Sequence, residues 1–313
     1  MTSFPASAML LSAGQGIRLR PLSLLRPKCL FPVLNRPMLR LWLERLAGTG
    51  ARRVVINAFH LAPMIEGYVE GVRGCFPGLE ILVSRETAVL GTGGGLRHAA
   101  DLLGDGPVLV ANSDIYSDFP LEGLASAHAA GGRVTATLAA VDRPERATVH
   151  VGGGGRILSF RERAPVPGET SRLCGAGFMV LEAAFIRGLP AAQCDVIAEL
   201  RASLDPGGGV SARVHPLPPE SFWCDMGTPG DYFSLNHLLA RGGRFAEGAR
   251  VEAETEGFLA AEPGAWIRAG ARVRDSVLWS GAVVEAGATL SGMIVAGRAR
   301  QGARMSGGVI TGD

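Results

Sequence analysis

Between Ala8 and about Ala240, short apolar, β-branched runs alternate with segments of helical periodicity, and this alternation restricts the fold more than any other feature of the chain. Ala8–Leu11, Val54–Asn57, Leu79–Val83 and Val108–Ala111 read as buried strands. Pro37–Ala47 carries Met38, Leu41, Trp42 and Leu46 at helical spacing, with Asn35 and Pro37 placed to start the helix. Leu61–Val72, Gly94–Leu103, Leu121–Ala129 and Pro229–Leu239 are further helix candidates. Strands alternating with helices predict an α/β fold with a mainly parallel, doubly wound sheet. Ligands of such a sheet sit beyond the carboxyl ends of its strands.

After about Gly242 the texture changes. Gly-Ala-x-apolar recurs at Gly248, Gly264, Gly270, Gly281, Gly287 and Gly302, and the intervals Gly264 to Gly281 and Gly270 to Gly287 are both seventeen residues. A small residue at each corner and an apolar residue turned inward, once per short strand, is the pattern of a β-solenoid. Two domains are expected: residues 1–242, and a solenoid over 243–313.

A net charge of +2 over 313 residues gives no reason to expect nucleic acid or a membrane surface as partner. No apolar run reaches the length of a bilayer span, and the first residues lack a signal-peptide pattern. Cys29, Cys75, Cys174, Cys194 and Cys224 are scattered, without a C-x-x-C, and read as reduced thiols in a cytoplasm. Of the 31 basic side chains only one, Lys28, is a lysine. Either a general drift toward arginine left one survivor, or a compact ammonium is needed at that position to meet a phosphate.

The neighbourhood of Lys28 favours the second reading. The first strand runs into Ser12-Ala13-Gly14-Gln-Gly16-Ile-Arg18-Leu-Arg-Pro, followed by Arg26-Pro27-Lys28. A glycine turn after a strand lets backbone N–H groups approach phosphate closely. Alone, Gly14-x-Gly16 is an ordinary tight turn; with Arg18 and Lys28 it becomes a cradle for a triphosphate. A second cluster, Leu90-Gly91-Thr92-Gly93-Gly94-Gly95, leaves backbone bare, as either a hairpin tip or a surface for a flat base. The strand Val108–Ala111 leads through Asn112-Ser113 to Asp114, where a carboxylate either binds a divalent ion or caps a turn.

These motifs, in this order, resemble those of the sugar-1-phosphate nucleotidyltransferase (NDP-sugar pyrophosphorylase) family, which includes mannose-1-phosphate guanylyltransferases, glucose-1-phosphate nucleotidyltransferases and N-acetylmuramate-1-phosphate uridylyltransferases. The resemblance implies a Rossmann-like mixed sheet followed by a small left-handed parallel β-helix of the hexapeptide type. It implies that Ser12, Ala13, Gly14, Gly16, Arg18 and Lys28 hold the triphosphate, and that Leu90, Gly91 and Thr92 meet the base. Trp223-Cys-Asp225-Met-Gly-Thr-Pro229 matches the family motif whose Asp completes a Mg²⁺ site with the residue equivalent to Asp114. Gly155-Arg-Ile-Leu-Ser-Phe160-Arg-Glu162-Arg163 resembles the acceptor motif, which assigns Glu162 to sugar hydroxyls and Arg163 to the sugar phosphate. Ala176-Gly177-Phe178 matches a strand beside the sugar.

The expected chemistry is in-line attack of a sugar 1-phosphate on the α-phosphorus of a nucleoside triphosphate, with Asp114 and Asp225 on Mg²⁺ and with Arg18 and Lys28 offsetting the charge of pyrophosphate. The sequence leaves the base open, GTP or UTP among the choices, and a sugar of the mannose or glucose type is expected. Ile17 and Arg163, where the family carries threonine and lysine, motivate one alternative: a non-catalytic regulatory relative that binds a nucleotide sugar. A solenoid acyltransferase would need a histidine base, and none follows His237. The solenoid is therefore expected to pack or to join copies in a homo-oligomer.

Overall fold

The computed structural model describes residues 4–162, 164–204 and 210–312. Contacts divide the chain into two compact units, Met1–Gly14 with Trp42–Trp223, and Gln15–Leu41 with Cys224–Asp313.

The first unit is built on β1 (Ser7–Leu11), β2 (Arg53–Ala58), β3 (Glu80–Arg85) and β4 (Val108–Asn112). β1 pairs in parallel with both β2 and β4, and β2 with β3. Ala8–Leu10 and Val54–Ile56 are fully or almost fully enclosed, as continuous apolar runs in a sheet covered on both faces require. The sheet continues as a mixed one through β5 (Ala136–Val141), β6 (Val149–Val151), β7 (Ile157–Phe160), β8 (Ser171–Leu181) and β9 (Ala212–Pro216). The long β8 runs antiparallel to β4, β5 and β6, β7 antiparallel to β6, and β9 parallel to β5. The pairing of β8 with β5 slips between Gly175 and Met179, which frees the backbone there from the ladder.

Helices fall where periodicity places them, at Met38–Ala47, Ala62–Val72, Leu121–Ala130 and Pro229–Ala240. One differs. The helix expected from Gly94 begins at Gly91 and covers Gly91–His98, so it takes in all four glycines of the second cluster.

In the second unit, Arg244–Phe245, Glu254–Ala261, Arg272–Leu278, Thr289–Val295 and Arg304–Ile310 form one parallel ladder. Arg250–Val251, Trp266–Ile267, Val283–Val284 and Arg298–Ala299 form another. This is the expected solenoid arrangement. All six repeat glycines have positive φ, from +70° at Gly302 to +83° at Gly264, and Ala265, Ala271, Ala282 and Ala288 beside them are buried. The corners thus need glycine for its backbone and alanine for its size.

The solenoid packs on residues from the start of the chain. Phe31 stands edge-to-face with Tyr232 and Trp279, at centroid distances of 5.3 and 4.8 Å. The Tyr232 hydroxyl donates to the Pro32 carbonyl (2.7 Å) and accepts from Trp279 Nε1 (3.0 Å), and burial pushes its phenol well above the usual range. Contacts gather residues 15–41 and 224–242 into the same unit as the solenoid strands.

Two glycines separate backbone from packing effects. Gly67 lies inside the Ala62–Val72 helix and Gly281 at a solenoid corner with φ +78°, and a Cβ on either meets nothing within 4 Å. Gly67→Ala should stabilise the protein by about 0.5–1 kcal/mol and Gly281→Ala should destabilise it by about 1 kcal/mol or more, read from chemical denaturation.

Candidate active site

In the first unit, β1 and β4 end side by side, with Leu11 paired to Asn112. The Ser113 N–H and hydroxyl both donate to the Leu11 carbonyl, at 3.2 and 2.8 Å, which ties the turn bearing Asp114 to the mouth of the Ser12–Gly14 loop. Asp114 is half-buried at the carboxyl end of β4, where the sequence places it. The Ser12 N–H donates to Asn57 Oδ1 (2.7 Å), and the Asn57 amide donates to Glu86 Oε1 (2.7 Å). Glu86 is 4% exposed, and burial raises its carboxyl above the ordinary carboxylate range. Asn57 and Glu86 thus brace the glycine loop from the ends of β2 and β3. Motif reading does not find them; an Asn inside Val-Val-Ile-Asn-Ala was the available signal. A Cβ on Gly14 would meet nothing within 4 Å, so this glycine presents backbone to open space.

The second glycine cluster is shaped by close packing. The Gly93 N–H donates to the Cys194 carbonyl (3.0 Å), and the Leu90 carbonyl accepts from the Cys194 N–H (3.0 Å). A Cβ on Gly93 would stand 2.6 Å from Cys194 Sγ, one on Gly94 2.5 Å from the Ala192 carbonyl oxygen, and one on Gly95 2.7 Å from Glu86 Oε1. Glycines 93–95 are therefore buried against residues 192–196 and, at Gly95, against the Glu86 and Asn57 side chains, which corrects the reading of the whole cluster as bare backbone; of its glycines only Gly91 is exposed. The Thr92 hydroxyl accepts from the Val196 N–H (2.9 Å).

A cavity of about 240 Å³ opens at the same end of the sheet, with Thr92, Asn112, Arg161, Gly177 and Asp195 in its wall. Gly177 has φ +82°, and a Cβ there would lie 2.9 Å from Ile115 Cγ1. Ala176 is fully enclosed, its carbonyl accepting from Trp223 Nε1 (2.8 Å), so it shapes the strand from the core side and does not face the cavity. The Glu162 carboxylate pairs with Arg201, and its carbonyl lies 3.1 Å from His150 Nε2. Arg163 lies outside the described residues.

In the second unit, two motifs about two hundred residues apart in sequence meet. Gly16 adopts φ +59°, its carbonyl accepts from the Ser23 hydroxyl (2.8 Å), and a Cβ on it would press on Ser23 Cβ at 3.0 Å. The turn that follows carries Arg18, whose guanidinium lies over Gly227: a Cβ there would stand 3.0 Å from Nη1 and 3.3 Å from Cζ. Lys28 Nζ lies 3.7 Å from Asp225 Oδ1, with side chains 14% and 23% exposed. The Thr228 hydroxyl caps the Pro229–Ala240 helix by accepting from the Asp231 N–H, so Asp225-Met-Gly-Thr is a rigid approach to a helix start. The two cations, one beside an acidic partner and one over a glycine, have the charge and donor geometry that complement a polyphosphate.

The chain belongs to the Nucleotidyl transferase family, whose model matches residues 7–242. It is 31% identical over 243 residues to a mannose-1-phosphate guanylyltransferase catalytic subunit beta of Dictyostelium discoideum, covering 75% of this chain and 66% of that protein, just under two thirds. A mannose-1-phosphate guanylyltransferase of Mycobacterium tuberculosis is 30% identical over 301 residues, 94% of this chain and 81% of the relative. Among solved structures, HddC from Yersinia pseudotuberculosis shares the fold with a TM-score of 0.59 at 17% identity, covering 75% of this chain and 99% of HddC.

The loop after β7 carries a pH-sensitive brace. His150 is fully buried with Nδ1 2.8 Å from Glu169 Oε2. Glu169 also accepts from the Val166 N–H and from Arg172, and the His150 bond first, then these, hold its carboxyl at about 2, below the ordinary 4.5. A depressed carboxyl contributes stability that is complete above its unfolded value and lost as pH falls through its folded one. The contribution should therefore disappear between about pH 4.5 and about 2. Glu169→Gln should lower the urea midpoint at neutral pH and make its decline across that acid window shallower.

Proposed function

We propose that the protein is a sugar-1-phosphate nucleotidyltransferase. A phosphate oxygen of the sugar 1-phosphate attacks the α-phosphorus of a nucleoside triphosphate, the bond to the β-phosphate breaks, and pyrophosphate leaves with that electron pair as the nucleotide sugar forms. The observation that supports this most is the meeting of Lys28 with Asp225 and of Arg18 with Gly227, because it unites two motifs far apart in the chain. The names of the relatives favour mannose 1-phosphate and GTP as the substrate pair.

In this reading Ser12, Ala13, Gly14 and Gly16 offer backbone to the triphosphate, while Arg18 and Lys28 offset charge on the departing pyrophosphate. Leu90, Gly91 and Thr92 border the base. Glu162 and Arg163 grip the acceptor, for which Glu162 exchanges Arg201 for sugar hydroxyls, and Gly177 opens the strand beside it, with Ala176 packed behind. No side-chain base is required, since a phosphate dianion already carries the attacking electron pair.

Asp114 and Asp225 are the carboxylates that would hold Mg²⁺, which supplies charge neutralisation to the reacting phosphates. The donor chemistry fits this ion. Among the described residues no group of three or more His, Cys, Asp or Glu stands together as a ready cage. Two carboxylates with phosphate oxygens and water as the remaining ligands are an ordinary magnesium environment.

The catalytic part corresponds to residues 1–242 and the solenoid to 243–313, with the solenoid a candidate contact between copies. No helix among the described residues is long and apolar enough to cross a membrane; the five cysteines form no disulfide, and their scatter along the sequence favours a reducing compartment such as the cytoplasm.

Pyrophosphate release across a panel of sugar 1-phosphates and nucleoside triphosphates tests the reading. Release is expected with at least one pair and should depend on Mg²⁺, and Asp114→Ala should lower kcat by about a hundredfold or more. Silence across the panel, or full activity of Asp114→Ala, would overturn it.

A further inference from the structure

The solenoid presents a buried acid to the segment that carries Lys28. The Glu262 side chain is 11% exposed, and both of its oxygens lie 2.9 Å from Arg26 Nη1. Its Oε2 also accepts from the Ser280 N–H at 2.9 Å, so the carboxylate is anchored on the next solenoid strand connection. The Arg26 guanidinium lies 4.5 Å from the ring centroid of Trp279, itself 3% exposed and bound through Nε1 to the Tyr232 hydroxyl. Arg26 is thus gripped by charge and by an aromatic face supplied 236 and more residues further along the chain. A second anchor closes the same segment: Asn35 Nδ2 donates to the Phe245 and Ala261 carbonyls, at 2.7 and 2.6 Å. Between the anchors lies the short turn Lys28–Leu30.

A buried Arg–carboxylate pair is weak evidence of stabilisation, because desolvation offsets most of its attraction and apolar residues of the same volume often serve as well. Geometry is what such a pair adds. Displacement of a catalytic charge by about 1 Å can cost about a hundredfold in rate.

We infer that Glu262 and Trp279 are positioning residues for Lys28: by clamping Arg26, the solenoid sets where the ammonium stands beside Asp225. The inference rests on the reading of Lys28 as a phosphate ligand. It gives the solenoid a part in the transferase reaction, separate from any role in assembly.

Affinity for pyrophosphate with Mg²⁺, measured by titration calorimetry, tests it without turnover and without knowledge of the base. Glu262→Gln and the milder Trp279→Phe should each weaken binding by about tenfold. Glu285→Gln, which removes comparable ion pairs to Arg268 and Arg298 elsewhere in the solenoid, should leave it unchanged. Each titration is run well below the melting temperature of the variant, so that the affinity is read on folded protein. In a Lys28→Ala background, Glu262→Gln should add nothing, since its effect passes through the ammonium. Equal affinities for the Glu262 and Glu285 variants, or losses from Glu262→Gln and Lys28→Ala that multiply, would overturn the clamp while leaving the phosphate role of Lys28 intact. Undiminished binding by Lys28→Ala alone would instead overturn that role, and the clamp with it.

Discussion

The pairing of the Lys28 ammonium with the Asp225 carboxylate, 3.7 Å apart, is the interaction on which the account of this molecule depends. It joins the end of the first glycine motif to the last motif before the solenoid, and it places one group that attracts phosphate beside one that attracts a cation. Partly buried charges of opposite sign, one contact apart, remain a favourable place for a phosphate–metal complex, because each gains a further partner of its own preference when the ligand arrives. The Arg18 guanidinium over Gly227 extends the same patch. A Cβ at residue 227 would stand 3.0 Å from Arg18 Nη1, so a side chain there requires the guanidinium to shift by a few tenths of an ångström.

Around this pair the fold supplies rigidity from several directions. The Thr228 cap and Pro229 set the start of the helix behind Asp225. The Phe31–Tyr232–Trp279 cluster and the Arg26–Glu262 pair hold the stretch on either side of Lys28. In the sheet, the Asn57–Glu86 pair performs the equivalent service for Ser12. Glu86 stays hydrogen-bonded to a neutral amide in a buried place, and its raised carboxyl is the electrostatic cost of that brace.

Much of this is legible in the sequence. Strands 1 to 4, the helices and the solenoid corners follow from local periodicity and from glycine's tolerance of positive φ, both of which are written in contiguous residues. The Gly14–Gly16 turn and the Asp225–Pro229 helix start are local in the same sense. What was not legible is long-range. Glycines 93–95 owe their size limit to Ala192, Cys194 and Glu86, so composition alone made the cluster look like bare backbone. Ala176 matches a motif, yet its enclosure depends on the strands packed around it. The Arg26–Glu262 and Asn57–Glu86 pairs leave no spacing signature, since each joins segments whose separation in sequence is arbitrary. The mixed character of the sheet comes from β8, which reverses direction against β4 and β5.

The proposed reaction requires a compact ammonium at residue 28, in a chain whose other basic side chains are all arginine. A planar guanidinium is larger and delivers its charge through a fork, so it should not fit a place set for a point charge beside Asp225. The most direct measurement is kcat/KM for nucleotidyl transfer by Lys28→Arg against the parent chain and Lys28→Ala. The account predicts that Lys28→Arg falls by about a hundredfold or more, close to the alanine variant; activity of Lys28→Arg equal to the parent would contradict it.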